Sequence, residues 1–431
     1  MGLRLFMVLY TALWAVGLPF VLLYLAWRGR RDRDYLRHLA ERFGGYRQRM
    51  DGAVWIHAVS LGEMRSALPL VRAFVGRGER VVITLFTPAG RREAERVLAP
   101  EIAGGQVAVV WVPFEYSWAF GRFFRAFRPR AGLVMEVEHW PRMILSAAAA
   151  GVPLYPCNAQ YPLRSLDADR ARRPWRFALI GRYAGALVKS DLQAERFWAA
   201  GLRAVEVTGE MRFDQPVPAH LVDAGLTARD WLAQGRRVVT IASAVAGEDD
   251  VYISAINHLK DILRASHEEV LIVYVPRSPE RFAEVGSRLR AAGFRVAARS
   301  DLFDAGLSPI GPAPMIDVLL GDSLGEMYFY LAMADRVVAG GGFTAKGAHN
   351  VIEPLVLGKP VVTGPVTWPI AYPFDQAAAA GLARSVADAA ALAVALADST
   401  RPDPAAVAAF IAAHSGAAAR TVAALDRLTS R

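Results

Sequence analysis

The sequence predicts an α/β protein: two Rossmann-like, doubly wound domains facing each other across a cleft, behind an amino-terminal membrane-anchoring helix. Three observations predict it. The chain has 431 residues, 54% hydrophobic and 21% charged, which is too long for one compact unit and too apolar for disorder. Beyond about residue 50, short β-branched apolar runs alternate with longer stretches of helical period, the pattern of βαβ units around a parallel sheet. The amino terminus carries no charged residue from Leu5 to Trp27.

That charge-free stretch, as one helix, measures roughly 35 Å at about 1.5 Å per residue, enough to cross a bilayer. Pro19 kinks such a helix without forbidding it. A cleaved signal peptide fits poorly, because the run is long and ends in Trp27-Arg28 without a small-residue cleavage site. Arg28, Arg30, Arg31 and Arg33 follow at once, and basic residues beside an apolar span stay on the cytoplasmic side. Whether the helix spans the membrane or lies in its interface is open at this level.

Strands are expected at 54–60, 80–86, 107–112, 131–138, 152–156, 186–190 and 205–208. A second series is expected at 237–243, 270–276, 294–298, 317–320, 336–340 and 360–363. Between them, the polar stretch 214–226 with Pro216 and Pro218 reads as a linker. The division is therefore 1–30 anchor, 31–215 first domain, and 216–431 second domain, closed by Ala-rich helices from Gln376 onward. A single cysteine, Cys157, excludes a disulfide-stapled scaffold and any zinc site of several thiolates. Lys+Arg 50 against Asp+Glu 41 leaves a net charge of +9, which admits an anionic substrate, membrane phosphate or nucleic acid. The anchor, and the lack of a basic stripe interleaved with aromatics, speak against nucleic acid.

Ligands of open parallel sheets bind beyond the carboxyl ends of the strands, so motifs at those ends take precedence. Ser60-Leu61-Gly62-Glu63 follows the first strand; its spacing is that of a capping box, and Glu63 there also suits a general base. Glu136 and Glu138, two apart in an extended segment, share a face, with His139 turned the other way, which disfavours a metal site. Arg277, after Pro276, suits a bidentate phosphate grip, a solvated loop arginine being the alternative. Leu324-Gly325-Glu326 opens a helix, where capping and ligand binding compete evenly. Gly340-Gly341-Gly342 exposes backbone N–H groups for a phosphate, and Asn350 and Glu353, three apart on a helix, suit the hydroxyls of a ribose. The spacing is neither a Walker A loop nor GxGxxG. Arg212 closes the first domain and could reach the cleft, though a surface arginine is the more frequent outcome there, and Cys157 reads as a small buried hydrophobe.

In order, these segments resemble one family, the inner-membrane Kdo (3-deoxy-D-manno-octulosonic acid) transferases of lipopolysaccharide synthesis. The likeness runs from the anchor through Trp55-Ile56-His57-Ala58-Val59-Ser60-Leu61-Gly62-Glu63 to His349-Asn350-Val351-Ile352-Glu353-Pro354 and Gly364-Pro365. The resemblance implies a GT-B fold, an inverting transfer of Kdo from CMP-Kdo to a lipid A precursor (lipid IVA), and no metal or other cofactor. It implies that Glu63 is the base and that Glu136 or Glu138, with Arg212, stabilises the transition state. It further implies that Pro276, Arg277, Leu324, Gly325, Glu326, Gly341, Asn350, Val351, Ile352 and Glu353 bind CMP, with the catalytic domains on the cytoplasmic face of the inner membrane. Departures from the family pattern cluster near the donor phosphate. Ser278 stands where a histidine is usual, Ser243-Ala244-Val245 where Ser-Thr-His is, Gly342 for serine and Ala348 for glycine; in the first domain Gln160 replaces an arginine and Arg212 a lysine. The lost histidines keep open a paralogue using another nucleotide sugar or glycolipid; a silent membrane scaffold is disfavoured by the retained Glu63, Arg277, Asn350 and Glu353.

Overall fold

The computed structural model describes residues 2–136 and 138–430. The chain divides into two units, one running to Gln215 and resuming at His414, the other Pro216–Ala413. The described residues of the first unit form seven strands: β1 Val54–Ala58, β2 Val81–Leu85, β3 Val107–Trp111, β4 Ala131–Met135, β5 Leu154–Ala159, β6 Ala186–Val188 and β7 Val205–Val207. All pair in parallel in the order β3-β2-β1-β4-β5-β6-β7. The first five strands are buried throughout, which is why they read as continuous apolar runs rather than alternating ones.

Helices cover both faces of this sheet. On one side Phe123 and Phe124 of the helix Ser117–Phe127 pack over Trp55, in a core that also holds Phe120 and Phe127. On the other, Leu70, Val71 and Phe74 of the helix Leu61–Gly76 share a core with Val422 and Leu425 of the last helix, Ala417–Thr429. That last helix corrects the expected boundary. From His414 onward the described chain belongs to the first unit and not the second: Asp214 accepts the N–H groups of Gly416 (2.5 Å) and Ala418 (2.7 Å) at the start of the helix, which also packs in that unit's core. The expected linker 214–226 is shorter too, since a helix begins at Ala219.

The second unit repeats the plan with β8 Arg237–Ala244, β9 Val270–Pro276, β10 Val296–Ala298, β11 Val318–Leu320, β12 Arg336–Ala339, β13 Val361–Thr363 and β14 Ala383–Ser385. Its order is β10-β11-β9-β8-β12-β13-β14, again all parallel. The three-residue β14 lies within the stretch expected to be wholly helical; its composition, Ala-Arg-Ser, carries no strand signal, and pairing with β13 forms it. The helix Leu3–Gly29 opens the first unit and is, by length and composition, long and apolar enough to cross a membrane.

In both sheets the strand order reverses at one place, between β1 and β4 and between β8 and β12. Such a switch point opens a crevice at the carboxyl ends of the strands, because the flanking loops leave in opposite directions. Non-glycine residues with left-handed φ gather there, Glu136 (58°) after β4 and Ser243 (60°) in β8, with Asn158 (51°) in the neighbouring β5. Conformations of this kind cost about 1–3 kcal/mol each and persist where the surroundings over-determine them.

Close packing at β1 and β4 gives a direct test of the core. Gly132 lies opposite Trp55, and a Cβ there would come within 2.4 Å of Leu154 Cδ1 and 2.7 Å of Trp55 Cε3. Gly132→Val is expected to destabilise the first unit by about 1–3 kcal/mol, read as a lower urea midpoint at unchanged slope.

Candidate functional site

At the β1–β4 switch point, Ser60 caps the helix Leu61–Gly76 and Glu63 completes a capping box. The Ser60 hydroxyl accepts the Glu63 N–H at 3.3 Å, and Glu63 Oε2 accepts the N–H groups of Val59 at 2.5 Å and Ser60 at 3.4 Å. The carboxylate is thus fixed to the end of β1 yet only half-buried. Burial pushes its pKa up to about 7, aided by the negative charges of Glu138 and Glu136 and opposed by the Val59 and Ser60 N–H groups. A carboxylate poised there matches the working range of a general base at neutral pH. The two sequence readings of Glu63, cap and base, are therefore compatible, because the cap is what orients the group.

Glu136 and Glu138 reach this neighbourhood by a route the alternation argument did not describe. The strand expected over 131–138 stops at Met135, and Val137 lies outside the described residues. Glu136 turns left-handed and accepts from Arg212 Nη2 at 3.2 Å. Glu138 accepts from Trp140 Nε1 at 2.7 Å, and the Trp140 ring stands edge-on to His57 and Phe86. His139 turns to the Tyr183 hydroxyl, and burial holds it neutral, its pKa pushed down to about 3. His57 is buried beneath the switch point, pushed down to about 4, with Nδ1 on the Thr84 hydroxyl.

Arg212 is held by a buried network that sequence reasoning missed. Glu210 forms a 2.8 Å ion pair with Lys189, both nearly inaccessible, and accepts from Asn158 Nδ2 at 2.9 Å and from the Arg212 N–H at 3.3 Å. Burial opposes ionisation of Glu210, but the charges of Lys189 and Arg212 outweigh it and hold the carboxyl down at about 2. Lys189 and Glu210 follow the three-residue strands β6 and β7 and Asn158 lies in β5, and no spacing rule links them. Cys157, beside Asn158, is buried and pushed up to about 12, consistent with an inert packing role.

In the second unit the glycine loop follows β12 at the other switch point. Here the expectation of an open phosphate nest needs correction. The Gly341 N–H (2.7 Å) and Phe343 N–H (3.1 Å) both donate to Glu248, a fully buried carboxylate that also accepts the Val245 N–H at 3.1 Å. A side chain of the chain itself fills that nest. Gly341 serves the shape of the loop: its φ is 96°, and a Cβ would meet the Gly347 carbonyl at 2.3 Å.

Pro276 ends β9, and the Arg277 N–H donates to the Ala244 carbonyl at 2.9 Å while its side chain is exposed. His349 is pushed down to about 4 by burial and then by the charges of Arg277 and Lys346, so a neutral imidazole and two cations share this place. Asn350 precedes its helix rather than riding on it: the helix is Ile352–Val356, and Asn350 Oδ1 accepts the Ile352 N–H at 2.9 Å. Asn350 and Glu353 therefore do not lie on one helix face as expected. Val351 and Ile352 are buried side chains, leaving only their backbone to a ligand. Glu353 faces Tyr328, whose hydroxyl is raised by burial and then by the Glu353 charge. Tyr328 belongs to the helix Met327–Met333 that follows Glu326, so the two segments expected to bind the nucleotide meet there. Leu324 is exposed and Gly325 has φ 83°. Glu326 does not cap its helix; it accepts from Arg299 at 2.7 Å and from the Ser323 hydroxyl at 2.5 Å. Among the described residues, no three His, Cys, Asp or Glu side chains cluster to hold a metal ion.

The 3-deoxy-D-manno-octulosonic acid transferase of Bordetella pertussis is 39% identical over 381 residues, 86% of each chain. The chain belongs to that family. A transferase of the same description from Haemophilus influenzae is 28% identical over 83% of this chain and 82% of its own. Residues 37–215 match the family model described as 3-Deoxy-D-manno-octulosonic-acid transferase (kdotransferase). Among solved structures, UDP-GlcNAc 2-epimerase from Neisseria meningitidis superimposes with a TM-score of 0.57 at 12% identity, over 88% of this chain and 100% of that one. At that identity it establishes the fold alone, two parallel α/β domains of GT-B type. In this Kdo transferase family member, the Glu63 to Arg212 constellation lies entirely within the matched region.

The Lys189–Glu210 pair predicts an acid sensitivity. A carboxylate depressed from an ordinary value near 4.5 to about 2 contributes stability that is complete above pH 4.5 and lost as pH falls toward 2. Denaturation at pH 6 and pH 3 is expected to show a large loss in the wild type. Glu210→Gln is expected to be less stable at pH 6 and to lose less between the two.

Proposed function

We propose that the chain transfers Kdo from CMP-Kdo to a lipid A precursor, lipid IVA, with inversion at the anomeric carbon and with Glu63 as the base. The observation that carries the reading is the half-buried Glu63 carboxylate, fixed by the capping box and raised to about 7 beside Glu136 and Glu138. Glu63 takes the proton of the acceptor hydroxyl as that oxygen bonds to the anomeric carbon and CMP leaves with the electron pair of the broken bond. The transition state gathers positive character on the sugar and negative charge on the departing phosphate. Glu136 and Glu138 suit the former, and Arg212, held by Glu136 and Glu210, sets the spacing of the carboxylates.

On the donor side, Pro276 and Arg277, Leu324 through Glu326, and Asn350 through Glu353 are the proposed CMP contacts. Arg277, Lys346 and neutral His349 meet the phosphate, in place of the Gly341 N–H that Glu248 already occupies. Fixed cations and hydrogen-bond donors supply the charge stabilisation, so the proposed chemistry uses no divalent ion. The acceptor is a membrane lipid, and the helix Leu3–Gly29 with the arginines that follow it supports a seat on the cytoplasmic face of the inner membrane.

Two measurements test this. Glu63→Ala is expected to abolish transfer to lipid IVA, followed by product mass, while CMP binding measured by calorimetry is unchanged; full residual activity excludes Glu63 as the base. Because the base acts when ionised, kcat/KM is expected to rise with pH through a single limb near 7 and to level off above it. A profile flat between pH 5.5 and 8 would contradict the assignment.

A further inference from the structure

The helix Leu3–Gly29 is long enough to cross a bilayer, yet its two faces are unlike. One face is laid on the first unit. Phe6 stacks on Trp175 with ring centroids 3.7 Å apart, and the Tyr10 hydroxyl donates to Glu115 at 3.1 Å. Arg142 donates to the Thr11 hydroxyl at 2.6 Å, and the Tyr116 hydroxyl donates to the Trp14 carbonyl at 2.9 Å. At the far end Leu25 and Gly29 are buried, Gly29 against Leu36. The other face presents Leu5, Val8, Leu13, Val16, Phe20 and Leu23, each 56–68% exposed. These positions recur every three to five residues and form one apolar stripe.

We propose that this helix lies in the plane of the membrane, in the boundary between headgroups and acyl chains, with its two ends on the same side; the proposal rests on the membrane reading above. Were the helix to cross with Arg28 at the cytoplasmic surface, Phe6 to Trp14 would lie about 21–33 Å from that surface at about 1.5 Å per residue. Their partners Glu115, Arg142 and Trp175 would be drawn into the hydrocarbon with irregular backbone around them, which a bilayer does not tolerate. An in-plane helix keeps those contacts. It sinks only the stripe, and it leaves Arg4 at one end and Arg28, Arg30 and Arg31 at the other level with anionic headgroups. Trp118 continues this surface: it is 47% exposed and stacks on Tyr116, which itself meets Trp14. An aromatic ring at headgroup depth is the usual marker of an interfacial seat.

The wild-type chain has one cysteine, Cys157, and it is buried, so single cysteines can be read against a silent background. Arg4→Cys and, as a marker for the body of the protein, Asp301→Cys at an exposed site are placed separately in the full chain and expressed in membranes. A membrane-impermeant maleimide is then offered to inside-out and right-side-out vesicles. The expected result is that both cysteines label from the same face. Arg4→Cys labelling only from the face opposite Asp301→Cys, or from neither face until detergent is added, overturns the proposal. Sedimentation of the wild type with washed membranes is scored first; its failure would sink the membrane reading, an outcome distinct from an opposite-face label.

Discussion

A parallel sheet delivers every strand's carboxyl end to one edge, and this constraint organises everything the molecule does. Glu63 and Arg212 are separated by most of the first unit's sequence, yet β1, β4, β5, β6 and β7 end side by side, so the residues after them become neighbours. The order reversal at β1 and β4 opens the crevice in which Glu63 and the two later glutamates share an electrostatic environment. The second unit uses the same constraint at β8 and β12, where the Glu248 region and the glycine loop converge.

Loops at a strand edge have little apolar surface to hold them, and here buried polar groups take over that task. The Lys189–Glu210 pair and Asn158 fix the segment from which Arg212 reaches Glu136. Glu248 clamps the glycine loop through two backbone donors, and Glu115 accepts the Arg142 and Met143 N–H groups that start the helix after the Glu138 segment. Burial makes each of these carboxylates expensive to leave unpaired, and that same cost makes the loop positions specific. Glu63 follows the principle at half strength, buried enough to raise its pKa while remaining partly exposed.

Much of the fold was legible in the residues. Among the described residues, thirteen of the fourteen strands fall on segments the sequence marks as strands; most are buried throughout and so read as apolar runs, while the edge strands β7 and β10 are only partly buried. The capping box was legible from the spacing of Ser60 and Glu63, since it is a contact between residues three apart. The Ala-Arg-Ser strand β14 was not, nor was the return of the last helix to the first unit, since each depends on a partner far away along the chain.

Sequence alone determined the fold class, the length and apolarity of the amino-terminal helix, and the candidate residues at strand ends, because periodicity and residue type act over a few neighbours. Tertiary structure decided which candidates share one environment. It placed Glu248 rather than a ligand on the Gly341 N–H, put Asn350 ahead of its helix, and gave the amino-terminal helix a packed face and a bare one. Those outcomes rest on hydrogen bonds and contacts between distant segments, and no local pattern encodes which distant group will arrive.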